Sequence, residues 1–280
     1  VRPERYMEIS NFYTATVYNK GAEVVRMIHT LLGQKRFRQG MDLYFERHDG
    51  EAVRTEEFVS AMQDASGVDL HQFQRWYGQA GTPVVSVRGE YDAGRKNYIL
   101  DFKQHCPATP EQEEKQPFHI PIKLGLIDPS GQGLSLRLKD EPQSFGTSHV
   151  FSFTEPEMTL TFTGIEKPPV PSLLRDFSAP VRLQFDYDTE ALAHLMVYDG
   201  DPFNRWEAGQ RLALNVLLEG ISSHRQGRDI IFPDVFVEAC ARVLADGGDD
   251  PAFAAEALVL PSAVYIAEQL DEVDPEAIFV

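Results

Sequence analysis

The sequence is short of basic residues. Lysine and arginine together number 26, against 43 aspartate and glutamate residues, so the formal net charge at pH 7 is -17. Proteins that bind nucleic acids or acidic membranes neutralise phosphates with clustered lysine and arginine side chains. The composition therefore argues against DNA, RNA and anionic lipids as partners, and it favours a solvated acidic surface.

Cysteine is scarce, and the spacing of metal ligands is missing. The two cysteines, Cys106 and Cys240, form no C-x-x-C pair, which is typical of free thiols in a reducing compartment and predicts a cytoplasmic protein. The eight histidines contain no pair at helical i, i+4 spacing. Because a zinc site needs ligands at defined spacing, we expect no zinc to bind to this chain by itself.

Long apolar runs are also missing from the sequence. A membrane-spanning helix needs about 18 or more consecutive apolar residues, and the apolar runs here are far shorter. The sequence therefore predicts no membrane association.

The pattern of apolar residues divides the chain into three blocks. Apolar residues recur at helical spacing up to about Pro83, alternate with a period of two up to about Asp186, and then return to helical spacing. This pattern predicts domains at 1–83, 84–186 and 187–280, the middle one a β-sandwich and the last a stack of helix pairs. The candidate strands are 85–87, 98–102, 120–124, 134–138, 150–153, 158–162 and 181–185. The proline-rich segment 167–171 is interpreted as a stiff connection.

Finer features are predicted within the first block. Residues before about Gly21 are expected to be extended and irregular, and the helix that follows is expected to end at Gly33 through a left-handed cap. Trp76 and Tyr77 lie on the apolar face of a later helix. Their helical spacing predicts packing in a core rather than stacking on a ligand.

One stretch, residues 11–22, points to chemistry. It reads Asn-Phe-Tyr-Thr-Ala-Thr-Val-Tyr-Asn-Lys-Gly-Ala and brings Tyr18 to the start of an apolar helix. Together with Glu-Val-Val-Arg-Met-Ile at 23–28, it resembles the segment that follows the zinc site in the aminopeptidase N family of gluzincin-type zinc metallopeptidases. The resemblance continues in the family's order at 43–50, 73–83, 107–110, 114–117, 177–181 and 203–208. The last two segments look like the bacterial alanyl branch of that family.

The resemblance implies a fold and an activity. The fold would be multidomain α+β: the helical end of a thermolysin-like catalytic domain, an antiparallel β-sandwich, and the start of an α-helical array. The activity would be hydrolysis of N-terminal residues from peptides by a monomeric enzyme with zinc as cofactor. Within this chain, the resemblance assigns the transition-state tyrosine to Tyr18 and makes Tyr13 a weaker candidate for the substrate pocket.

The zinc motif of that family is absent from this sequence. Neither H-E-x-x-H nor the Gly-Ala-Met-Glu-Asn segment that holds the substrate amine occurs in it. By the order of motifs in the family we expect both to lie upstream of Val1. The chain alone is therefore predicted to be inactive.

Two alternatives stay open on sequence alone. A β-sandwich with a helical array also suits a noncatalytic scaffold for protein interaction, because such folds host many functions. A tyrosine beside an apolar helix is also typical of a core residue whose hydroxyl bonds to the backbone. An H-E-x-x-H motif in the reading frame upstream of Val1 would discriminate the peptidase from the scaffold.

Overall fold

The computed structural model describes residues 7–248 and 250–279. By their internal contacts these residues form two units, and the chain passes repeatedly from one to the other. The first unit runs up to Leu124 and adds Leu136–Glu166 and Phe177–Phe185. The second unit contains Gly125–Ser135, Lys167–Asp176 and the residues from Asp186 onward. The division into three domains near Pro83 and Asp186 stays a prediction.

The first unit begins with helical turns. A 3₁₀ turn spans Ile9–Phe12 and a π-helix spans Thr16–Lys20, which leads directly into helix α1, Gly21–His48. The backbone bonds locally here, as the Tyr18 amide donates to the Thr14 carbonyl at 3.0 Å. The expectation of an extended segment before Gly21 is therefore wrong for the described residues, because their amides find partners within one turn.

Helix α1 is broken at Gly33. This residue has φ 74° and ψ 160°, a region of backbone conformation that is open essentially to glycine alone. The predicted break at Gly33 is confirmed. The predicted left-handed cap is wrong, because ψ lies far from the left-handed helical value and the helix resumes after the break.

Two α-helices and a 3₁₀ turn at Gln72–Gln74 complete this part of the first unit among the described residues. Helix α2 spans Thr55–Ser66 and packs on α1, and the short helix α3 spans Arg75–Gly78. Trp76 is buried, its ring lies 4.6 Å from that of Phe118, and its indole N–H donates to the His119 carbonyl at 2.9 Å. The prediction that Trp76 packs in a core is confirmed.

The strands in the described part of the chain form two sheets. Their bounds are β1 Val84–Asp92, β2 Asn97–His105, β3 Ile120–Ile127, β4 His149–Phe153, β5 Glu157–Thr163, β6 Val170–Leu173 and β7 Arg182–Gln184. One sheet has the order β5-β2-β1-β7 and the other the order β4-β3-β6. The pairs β1 with β2, β2 with β5 and β3 with β4 are antiparallel, whereas β7 runs parallel to β1 with Val84 opposite Arg182.

Two strand predictions are wrong. Segment 134–138 forms no regular strand, because Leu136 exchanges backbone hydrogen bonds with the nearby residues Phe145 and Gly146 instead of joining a long ladder. Conversely, the segment interpreted as a stiff connection contains strand β6. Pro171 lacks an amide donor, and β6 tolerates it because this strand lies at the edge of its sheet.

The second unit consists mainly of helices. They are α4 Thr189–Tyr198, α5 Pro202–Arg225, α6 Asp234–Asp246, α7 Pro251–Ala257, α8 Ala263–Ala267 and α9 Pro275–Phe279. Side-chain caps start several of them: Asp188 accepts from the Ala191 amide, and Asp201 accepts from the Asn204 amide. No helix within residues 7–248 and 250–279 has the length and apolar character of a membrane span.

A buried polar cluster lies inside the second unit. The Arg175 guanidinium donates to Asp199 at 2.9 Å and to the Ser172 hydroxyl at 2.8 Å. The Ser172 hydroxyl donates to Asp199, and the side-chain amide of Asn204 donates to the Ser172 hydroxyl at 2.8 Å. A side chain at Gly125 would overlap the Arg175 guanidinium, so only glycine leaves room for it. The cluster joins strand β6 to helices α4 and α5.

Candidate functional site

The two tyrosines singled out by the sequence lie together on the surface of the first unit. Tyr18 is 58% exposed and Tyr13 is 68% exposed. Their rings are stacked, with centroids 5.8 Å apart and planes inclined by 23°. The alternative that Tyr18 is a core residue is therefore wrong in this structure.

Tyr18 sits in the middle of an unusual helical turn. The π-helix Thr16–Lys20 is five residues long, and π-turns are rare insertions that occur frequently at functional sites. Thr14 starts the turn, since its hydroxyl accepts from the Val17 amide at 3.2 Å and its carbonyl accepts from the Tyr18 amide at 3.0 Å. The end of the turn is closed by the Gly21 amide, which donates to the Tyr18 carbonyl.

The same turn is tied to a distant part of the first unit through Lys20. Its ammonium donates to the Gly81 carbonyl at 2.7 Å, across 61 residues of sequence. Lys20 is half-buried, and burial lowers its pKa, an effect that the neighbouring Cys106 thiol opposes. The ammonium is therefore held in a partly desolvated place, where a carbonyl oxygen accepts a hydrogen bond from it.

Gly81 lies on a backbone turn that has little freedom. Its φ is +95°, and a Cβ at this position would lie 2.9 Å from the Cys106 sulfur. The backbone amide of the preceding Ala80 donates to the side-chain oxygen of Gln112 at 2.8 Å, and the side-chain nitrogen of Gln112 donates to the Gly78 carbonyl at 3.0 Å. These bonds fix the turn against the loop that follows β2.

The arrangement offers an exposed hydrogen-bond donor beside an aromatic surface. A phenol can donate its O–H to an oxygen and accept from a donor, and an exposed ring can also pack against a ligand. Tyr18 therefore suits contact with an approaching carbonyl oxygen, and Tyr13 extends the aromatic face on which such a group would rest.

A cleft elsewhere in the first unit is a weaker candidate. It has a volume of about 200 Å³ and is lined by Thr55, Glu56, Val59, Gln74, Tyr77 and Gly78. Burial, followed by the charge of Glu56, raises the pKa of Tyr77 to about 12, so this phenol stays protonated at neutral pH. The cleft is smaller than the roughly 300–1,000 Å³ of ordinary ligand pockets.

The described residues do not fit a metal site. No group of three or more histidine, cysteine, aspartate or glutamate side chains able to hold an ion occurs among them. Both cysteines are free thiols, and burial raises the pKa of each. The donor set that a catalytic zinc requires is thus absent from the part of the chain that the structure describes.

Sequence reasoning did not single out Lys20 and Gly81 as members of the site. Lys20 belongs to the quoted Tyr-Asn-Lys-Gly-Ala run, and Gly81 to the run that stops the helix before Pro83. The hydrogen bond between these two residues, which lie 61 positions apart, could not be predicted from the sequence. Its acceptor is a backbone carbonyl, and every residue type has one.

Three family models match the chain in succession. Residues 1–77 match the peptidase family M1 domain, 81–186 match a domain of unknown function with an Ig-like fold, and 189–280 match a domain of unknown function with ARM repeats. The fold class is thereby confirmed as α+β, with part of a peptidase M1 domain followed by an Ig-like β domain and helical repeats.

Individual relatives match nearly the whole chain. Aminopeptidase N of Escherichia coli is 45% identical over 99% of the chain, and aminopeptidase N of Haemophilus influenzae is 41% identical over the same share. The crystal structure of Legionella pneumophila aminopeptidase A in complex with aspartic acid covers 98% of the chain with a TM-score of 0.80 and 29% identity. The chain spans about a third of the length of these relatives, namely 32%, 32% and 30%.

Proposed function

This chain is homologous to bacterial aminopeptidase N, and on that premise we propose that it forms part of a zinc-dependent aminopeptidase that removes N-terminal residues from peptides. Similarity along nearly its whole length is the observation that supports the proposal, because it includes the stretch that carries Tyr18. The chain contributes the second part of the catalytic domain, the β-sandwich and the first helical repeats.

Tyr18 is proposed to be the catalytic residue of this chain. When water attacks a peptide carbonyl, negative charge collects on the carbonyl oxygen. A phenol held beside that oxygen donates a hydrogen bond that strengthens as the charge develops, so it stabilises the transition state more than the bound substrate. The exposure of Tyr18 supports this role, since the phenol is open to an incoming group.

Tyr13 is proposed to line the substrate pocket. Its ring stacks on that of Tyr18 and is itself exposed, so it offers an apolar face next to the donor. An interaction of this kind contributes equally to the substrate complex and the transition state, and its removal raises KM rather than lowering kcat.

Zinc enters the proposal only through the homology. In a hydrolase this metal lowers the pKa of a bound water and polarises the scissile carbonyl. The residues that the structure describes offer no ligand set for it. We propose that other residues of the complete enzyme hold it.

Location and assembly are also proposals. The dispersed free thiols Cys106 and Cys240 support a reducing compartment, and we propose a cytoplasmic, monomeric enzyme.

The deciding experiment is the Tyr18→Phe substitution in the complete protein. The change keeps the ring and removes the O–H donor, so we expect kcat on an aminoacyl substrate to fall by about a hundredfold or more, as for other oxyanion donors. KM and the melting temperature should move little. The exposed Tyr265→Phe is the matched control and should leave kcat unchanged. Near-normal turnover of the Tyr18→Phe enzyme would remove the proposed catalytic role.

A further inference from the structure

The hydrogen bonds of the Tyr18 segment differ in the sequence separation between donor and acceptor. Those of Tyr13, Val17 and Tyr18 end on residues within the same or the preceding turn, namely Ser10 and Thr14. The bond from the Lys20 ammonium instead ends on the Gly81 carbonyl, 61 residues away. Among these bonds, that of Lys20 therefore connects the tyrosine turn to the rest of the first unit.

The direction in which the Tyr18 side chain points depends on whether the π-turn is kept. A π-turn contains one more residue than the α-helical turn it replaces, and one residue corresponds to about 100° of rotation around a helix axis. If Thr16–Lys20 relaxed to an α-helix, the residues before it would turn by about that angle relative to α1. Tyr18 lies within the turn, so its phenol would rotate through part of that angle and point in another direction.

Lys20 lies at the end of the π-turn, where it can resist this relaxation. Its partner is a fixed point, because Gly81 has a positive φ and lies against Cys106, and the neighbouring Ala80 is bonded to Gln112. The bond is short, at 2.7 Å, and its donor is charged, which makes it stronger than a bond between neutral groups.

We propose that Lys20 is a positioning residue for the reaction, which keeps the π-turn wound and so holds the Tyr18 phenol in its working direction. This inference rests on the proposed function of Tyr18. Lys20 itself does not contact the reacting atoms, because its ammonium is engaged by Gly81.

A double-mutant cycle in the complete zinc-loaded enzyme tests the inference. The variants are Lys20→Met, which keeps the length of the side chain and removes the donor, Tyr18→Phe, and the two combined. We expect Lys20→Met to lower kcat by about tenfold to a hundredfold with KM nearly unchanged, since a displacement of about 1 Å can cost that much. The combined variant should have the kcat of Tyr18→Phe alone, because Lys20 acts through the phenol.

Each outcome has a defined meaning. If the two losses multiply in the combined variant, or if Lys20→Met lowers only the melting temperature, the positioning role is wrong. If Tyr18→Phe itself leaves kcat unchanged, the proposed function of Tyr18 fails, and this result is seen without any Lys20 variant. Lys103→Met removes an exposed ion pair with Glu157 and is the matched control, with kcat unchanged.

A second variant covers the case in which Lys20→Met does not fold. Lys20→Arg keeps a charged donor but changes its length and shape. We expect partial rescue, with a kcat between those of the parent enzyme and Tyr18→Phe and again no further loss when combined with Tyr18→Phe. A Lys20→Arg enzyme with a kcat loss that adds to that of Tyr18→Phe would overturn the inference.

Discussion

At the scale of single residues, the buried His119 makes stability depend on pH. Its ring packs edge-on against Phe73 at 6.2 Å between centroids, and Nε2 lies 3.3 Å from the Ser152 hydroxyl. Burial lowers the pKa of His119 below its ordinary value of 6.5, and the charge of Asp69 opposes this only in part. The neutral ring is therefore the form that the folded state favours.

The sign of the effect follows from where the proton binds first. Above pH 6.5 the imidazole is neutral in both states and contributes nothing. As the pH falls below 6.5, the unfolded chain takes up the proton first, and the free energy of unfolding decreases until the lowered folded pKa is reached. We expect a loss of at most about 1.4 kcal/mol per pH unit in that window.

Urea unfolding of the chain at several pH values between about 7 and 5 measures this loss. His119→Gln keeps a polar side chain beside Ser152 and should flatten the slope, because glutamine does not titrate. The exposed His105→Gln should leave the slope as it is. An unchanged slope in His119→Gln would show that another group causes the acid sensitivity.

Residues of the candidate site differ in how far the sequence predicts them. Tyr18 and Tyr13 could be singled out from the sequence because both lie in one contiguous stretch. In the structure their rings are stacked on one surface. Their roles stay predictions. Lys20 and Gly81 could not be paired from sequence, because a backbone carbonyl acceptor leaves no mark on residue type.

At the scale of secondary-structure elements, the buried Arg175 cluster joins strand β6 to helices α4 and α5. Arg175 and Asp199 form an ion pair with side chains that are 7% and 0% exposed. Removing one member leaves the other charge buried without its partner. We therefore expect Arg175→Met and Asp199→Leu each to lower the free energy of unfolding by about 3–5 kcal/mol.

The double variant separates the ion pair from simple loss of packing. Because neither charge is left alone, Arg175→Met with Asp199→Leu should lose clearly less than the sum of the two single losses. Loss of helical circular dichroism in urea is the measurement. Arg38→Met, which removes an exposed pair with Asp42, should change stability little. Additive losses in the cycle would contradict the expectation.

Elements were predictable where local pattern and tertiary context agree. The alternation of apolar residues locates β2, β3, β4 and β5, and the glycine at position 33 locates the break in α1. Strand β6 was not predicted, because Pro169 and Pro171 are residues that the sequence pattern associates with a connection. Both prolines are buried in the structure. The π-turn was not predicted, because its extra residue leaves the spacing of the apolar residues in α1 unchanged.

At the scale of the whole molecule, the change of apolar period gave the succession of helices, strands and helices. The change of apolar period could not predict which segments belong to which unit, because each unit is built from several separate segments of the chain. Such sharing depends on contacts between residues far apart in sequence, and short-range periodicity carries no information about them.

The parallel pairing of β7 with β1 has a consequence for the order in which the molecule is made. Strand β1 lies between β2 and β7, and about a hundred residues separate Val84 from its partner Arg182. Ribosomes add about 5–20 residues per second, so the free edge of β1 waits on the order of 5–20 s for its second neighbour. An unpaired strand edge is a template for wrong pairing.

Nascent chains should therefore change their behaviour when β7 becomes available. Chains stalled just before Arg182, with a spacer that clears the ribosome, should be cleaved readily by protease around Val84–Ser86, the part of β1 that later pairs with β7, and should bind a holding chaperone. Chains stalled after Phe185 should be protected. Equal protection at both lengths would mean that β1 is already covered before β7 is made. If protection appears only at the greater length, β7 is the strand that shields β1 from other nascent chains on the same polysome.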